Sequence, residues 1–207
     1  MLETEGWAGL DAPSKSAFET LLESLQRSGV TLHRRGDHPW IEALEQGVAN
    51  GRAICNAITN WENRWYQRNL VDQHPEGVSA RLKATLARAE AMTLEDYRAA
   101  LLRRATAQQC HVAVAPLADA VIGLSCAGPA PLWPGDVSGQ PLAPRPTGDF
   151  VFNAPSSMLF APSITLPLMS VGGLPVGVQL MGQQHEDARM TAIARWMLGA
   201  VAPVVAR

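Results

Sequence analysis

A chain of 207 residues, 47% of them hydrophobic, is long enough to bury one sizeable core. The formal net charge is −2 and the 17 Lys and Arg are scattered without forming a block, so no basic field exists and nucleic acid is excluded as an expected partner. No run approaches the ~18 apolar residues of a membrane span, and Met1-Leu-Glu-Thr-Glu-Gly-Trp7 is acidic with no apolar leader, so neither membrane insertion nor secretion is expected.

In chain order, Asp11-Ala-Pro-Ser14 reads as a capped helix start, and Phe18, Leu21, Leu22 and Leu25 repeat at helical spacing until Gly29. Val30-Thr-Leu32 then reads as a short strand, and His33-Arg-Arg-Gly-Asp-His-Pro39 as a loop. From Trp40 to about Asn69, Ile41, Leu44, Val48, Ile54, Ile58, Trp61 and Trp65 predict one long helix or two, with Gly47 and Gly51 as weak points. Val78, Leu82 and Leu86 mark another helix. Thr93-Leu-Glu-Asp96 has the form of a capping box and opens a helix to about Gln109.

His111-Val-Ala-Val-Ala115 reads as a buried strand ended by Pro116. Residues 116–149 carry a proline or glycine every few positions, the composition of an ordered covering loop. A short helix is expected within 150–160. Two apolar runs rich in branched residues, 163–168 and 176–181, flank Val171-Gly-Gly173 and read as adjacent strands of one sheet. The helix over 185–199 that follows them carries Met190, Ile193, Trp196 and Met197 and packs on a face of that sheet. The expected class is therefore α/β, a mixed sheet flanked by helices. As one domain it divides into a helix-rich part with two short strands (1–115), the loop (116–149), and the terminal strands and helix (150–207).

Cys55, Cys110 and Cys126 are odd in number and lack CxxC spacing, which fits reduced buried thiols in a cytoplasmic protein. His33, His38, His74, His111 and His185 lie far apart with no HxxxH pair, so no metal site is expected.

The run Ala161-Pro-Ser-Ile-Thr-Leu-Pro-Leu168 through Gly173-Leu-Pro-Val-Gly-Val-Gln-Leu-Met-Gly182 resembles the terminal signature of the amidase signature family. Further likenesses lie at Glu5-Gly-Trp7 with Asp11, at Gly29-Val-Thr-Leu32, at Val112-Ala-Val-Ala-Pro116, similar to the family's D.LL.P strand, and at Thr147-Gly-Asp149, so that the resemblance covers most of the chain, strongly over 147–182 and weakly over 33–110. The resemblance implies a partial amidase-signature fold, corresponding to the C-terminal half, and a parent reaction of carboxamide hydrolysis without cofactor. It also implies a catalytic set of two serines and a lysine, with the serines in a Gly/Ser-rich stretch.

The sequence contains no such stretch. Its two lysines, Lys15 and Lys83, occupy ordinary solvated helical positions, and neither reads as a base. Ser156-Ser157, the adjacent serine pair, lacks the flanking glycines that give an oxyanion-hole backbone its freedom, and reads as a helix cap. No catalytic residue is therefore assigned. Gly123-Leu-Ser125-Cys-Ala127 is a near miss to a nucleophile elbow, with Asp149 and His185 following in hydrolase order, but Gly128-Pro-Ala-Pro131 blocks the helix such an elbow needs. The residues placed to touch a small amide substrate are Asp119, Asp149, Asn153 and Ser157, chosen by position.

The expectation is a C-terminal amidase portion that is inactive by itself. Without the rest of the fold its sheet edges and apolar faces stay open, so a homo-oligomer or a complex with a missing N-terminal catalytic half is expected. The rival is a non-catalytic interaction module built on the same fold.

Overall fold

The computed structural model describes residues 1–132, 135 and 149–206. Most of the expected covering loop, and Thr147-Gly148 of the resemblance, lie outside the described residues.

Local chemistry sets the helix starts. In α1 (Ala12–Arg27) the Asp11 carboxylate accepts the Ser14 N–H at 2.7 Å, Pro13 sits in the first turn, and Gly29 follows the end at φ +93°. Helix α2 (Pro39–Val48) and helix α3 (Gly51–Gln73) are separate, because Asn50 turns left-handed at φ 58° and redirects the chain. Helix α4 spans Ala80–Glu90. Helix α5 (Leu94–Val114) opens on the full Thr93/Asp96 capping box.

Three expectations for residues 30–124 need correction. His111–Ala115 is not a strand: α5 runs on to Val114, since Ala107, His111 and Val114 are 0%, 2% and 4% exposed while Val112 is 61% exposed. Spacings of four and three make one helical face, and that packing outweighs the β preference of the valines. Val30–Leu32 belongs to no assigned strand, and the Val30 N–H turns back to the Leu25 carbonyl at 3.1 Å. A strand does exist where a loop was expected: β1 (Val121–Leu124) is buried throughout. Asp119 stands two residues before it.

Helix α6 (Ala154–Leu159) leads into β2 (Ser163–Val171) and β3 (Leu174–Met181). Gly172 and Gly173, at φ 57° and 79°, supply the two left-handed residues of a tight hairpin turn. The register runs Ser163↔Met181 to Leu166↔Val178 and then shifts before Met169↔Val176, at Pro167, which has no N–H to give a ladder. Helix α7 (Asp187–Ala200) and β4 (Val204–Ala206) complete the described elements. The sheet order is β1-β3-β2-β4, with β1 and β2 antiparallel to β3 and β4 parallel to β2.

The sheet is covered on both faces. Val176, Val178 and Leu180 of β3 pack with Phe18, Leu21, Leu22, Met190 and Met197 from α1 and α7. On the other face Met181 and Val121 join Leu44, Val48, Ile54, Ile58 and Met158. This α/β layering is the architecture the sequence predicts. Cys55, Cys110 and Cys126 are free thiols, and among the described residues no helix is long and apolar enough to cross a membrane.

Candidate functional site

The alternation of β3 sends Gln179 to the same face as Gly177, between the two cores. Gln179 is only 3% exposed, and its Nε2 donates to Asn153 Oδ1 at 3.0 Å while its Oε1 has no partner among the described residues. Ser156 Oγ donates to the Asn153 carbonyl at 2.8 Å and to Asn153 Oδ1 at 3.2 Å, so Asn153 ties α6 to the sheet.

Beside this knot the sheet carries a floor of small polar residues. Thr165 stands opposite Gln179, and the Ser125 N–H donates to the Gly177 carbonyl at 3.0 Å. Gly177 is required by close approach: an added Cβ would fall 2.2 Å from Ser125 Oγ and 2.5 Å from Thr165 Cγ2. Sequence reading missed Gln179 and Thr165, although Gln179 is the one polar side chain in the run Val176–Met181.

Three of the four residues chosen by position gather near α6. Asp149 pairs with Arg52, which also reaches Glu5 at 3.2 Å, and Asp149 Oδ1 accepts the Val151 N–H at 3.0 Å. These carboxylate and guanidinium groups are 44% and 42% exposed, so the pair adds little stability and serves mainly to orient the turn before α6. Asn153 and Ser157 are exposed on α6 or at its start. Asp119 stands apart, its exposed carboxylate paired with Arg189 of α7 at the mouth of a cavity.

No nucleophile and base meet within the described chain in the combinations raised by the sequence. Ser125 lies across from Gly177, whereas His185 follows Gly182 beyond the other end of β3; the five residues from 177 to 182 alone span roughly 17 Å. Asp149 is held by Arg52 and not by His185, so Ser125, Asp149 and His185 form no triad. Lys15 stacks over the Trp7 ring at 5.9 Å and Lys83 lies on the exposed face of α4. Burial pushes the Cys55 thiol up, away from the thiolate a nucleophile needs, and pushes His111 down so that it stays neutral. No cluster of three metal-ligating side chains occurs among the described residues.

A family model described as Amidase matches residues 1–190. Among solved structures, a crystal structure of an amidase superposes with a TM-score of 0.76 at 24% identity, covering 93% of this chain and 43% of that one. A bacterial aryl acylamidase of the amidase signature enzymes gives 0.59 at 16% identity, covering 89% and 39%. A 6-aminohexanoate cyclic dimer hydrolase complexed with substrate gives 0.55 at 17% identity, covering 94% and 43%. No curated protein matches. The chain thus spans less than half the length of these structures, and at such identities they establish the fold alone. With the family match extending over nearly the whole sequence and the hairpin of β2 and β3 carrying the terminal signature, this chain belongs to the amidase family.

Proposed function

We propose that this chain forms the C-terminal portion of an amide-hydrolysing fold, and that the serine pair and lysine that perform the chemistry come from polypeptide outside these 207 residues. The observation that carries the reading is the family match over residues 1–190 in a sequence with no Gly/Ser-rich signature and no lysine set against a serine. Amide hydrolysis needs an activated hydroxyl, a base and donors for the oxyanion, and truncating that set removes nearly all acceleration. The contribution of this chain is then a wall of the pocket: Asn153 and Ser157 on α6, with Asp149 at the turn before it, face a small carboxamide, and Asp119 stands at a second mouth. The setting we assign is cytoplasmic, in keeping with the free thiols, and the working form is a complex with the catalytic portion or an oligomer.

The test is release of ammonia from benzamide. The purified chain alone is expected to show no turnover above background. Mixed with the Gly/Ser-signature portion of the amidase matched at 24% identity, it is expected to gain turnover that disappears when the signature serine is changed to alanine. Turnover by this chain alone, abolished by Ser125→Ala, Ser156→Ala or Ser157→Ala, would overturn the reading.

A further inference from the structure

Two side-chain carboxamides meet between β3 and α6. Such a group carries acceptor lone pairs at one end and N–H donors at the other, so what it offers a ligand depends on which end is already held. Gln179 is 3% exposed; its Nε2 donates to Asn153 Oδ1 at 3.0 Å, and its Oε1 is buried without a partner among the described residues. The same Asn153 Oδ1 accepts from Ser156 Oγ at 3.2 Å. Asn153 itself is exposed. With its oxygen bonded to a buried group, the end left to the outside is Nδ2, with two N–H donors.

That direction is fixed by the pair. Turning the Asn153 amide over by itself would set Nδ2 against Gln179 Nε2, donor against donor. Turning both amides together would bury both N–H groups of Gln179 unpaired, and orphaned donors are rarer in folded proteins than under-satisfied carbonyls. Gln179 therefore acts on the outer face of α6 without reaching it.

The surroundings select the kind of acceptor. Asn153 and Ser157 are exposed four residues apart while Ala154, Pro155, Met158 and Leu159 are buried, so the amide and the hydroxyl open on one side of α6. At the turn before α6 the Arg52 guanidinium is shared by the Asp149 and Glu5 carboxylates, leaving negative charge in excess. A carboxylate on a ligand would meet that excess, and a neutral carbonyl or ether oxygen would not. In amide hydrolysis the oxygen of the bond being cut is met by donors beside the nucleophile, which the proposed function places outside this chain. The N–H groups of Asn153 remain for a different oxygen.

We propose that Asn153 is a one-way donor, held in direction by Gln179, that selects carboxamides carrying a second, uncharged acceptor oxygen away from the bond to be cut. Gln179 is a positioning residue. The direction of the amide stands on the hydrogen bonds above, and the substrate class rests on the amidase reading.

Two measurements keep those halves separate. In the full chain alone, NMR of the side-chain amides should show the Asn153 NH2 protons exchanging with water roughly tenfold faster than those of Gln179. Asn153 protons as slow as those of Gln179 would overturn the direction. In the mixture with the catalytic portion, meta- or para-acetylbenzamide should show a KM about tenfold below that of the isopropyl analogue of similar shape, the worth of one neutral hydrogen bond. Asn153→Asp keeps the inward oxygen and replaces the NH2 with an acceptor, and should abolish the preference. Gln179→Met fills similar space without an N–H, and should narrow the ratio of the two KM values. A merely structural Gln179 would shift both KM values together and leave their ratio intact. No preference in the parent mixture, or a ratio that survives Asn153→Asp, would overturn the substrate class, and neither result depends on Gln179→Met folding. Absence of turnover with every amide fails the amidase reading and the substrate class with it, while the exchange rates still decide the direction of the amide.

Discussion

The amino terminus offers a direct measure of what the cavity costs the chain. Burial among apolar neighbours lowers the Met1 ammonium from 8.0 to about 6, with Glu45 opposing that fall, Arg34 adding to it, and Asp37 and Glu3 opposing it more weakly. A base whose folded value is depressed releases its proton on folding, so the folded state is penalised fully below pH 6 and not at all above pH 8. Stability should therefore rise with pH across that window. Two units at about 1.4 kcal/mol each bound the gain at about 3 kcal/mol. Glu45, its carboxyl raised by its own burial, contributes the opposite slope from the ordinary carboxylate range upward, because an acid with a raised folded value loses stability as it ionises.

Acetylating Met1 separates the two: the amide keeps an N–H for the His33 carbonyl, removes the charge, and leaves Glu45 in place. The assay is urea unfolding of free and acetylated chains between pH 5.5 and 8.5. The acetylated chain should be more stable by about 2–3 kcal/mol at the acid end, with the difference vanishing near pH 8. A difference that does not change with pH would refute the argument that a desolvated ammonium lines the cavity.

Glu45→Ala should cost about 2–4 kcal/mol in the same unfolding assay. The 3% exposed carboxylate accepts the Glu3 N–H at 2.6 Å and the Thr4 N–H at 3.0 Å, and its loss orphans both. Gly182→Ala should cost about 1–3 kcal/mol, since the new methyl would fall 2.3 Å from Met190 Cγ in a fully buried contact; a thermal midpoint equal to that of the parent chain would contradict it. Thr93→Ala, which removes half of the capping box on α5, should cost about 1 kcal/mol and lower the helical signal.

Where the determinants are local, the sequence alone was sufficient. Asp11 and Thr93 carry their own helix starts, and Gly172-Gly173 carries the hairpin, because each acts within four residues of itself. The signature run of β2 and β3 identified the family before any geometry was known. Tertiary structure alone decided the rest. Whether His111–Val114 is helix or strand depends on which face meets the core. The branched run Val30–Leu32 stays unassigned as a strand because strands require partners, and β1 exists through its pairing with β3. The carboxylates chosen by position met partners far along the chain, Asp119 with Arg189 over 70 residues and Asp149 with Arg52 over 97. Long-range pairings of this kind leave no periodic trace, because a helix or strand pattern records only what a residue does with neighbours a few positions away.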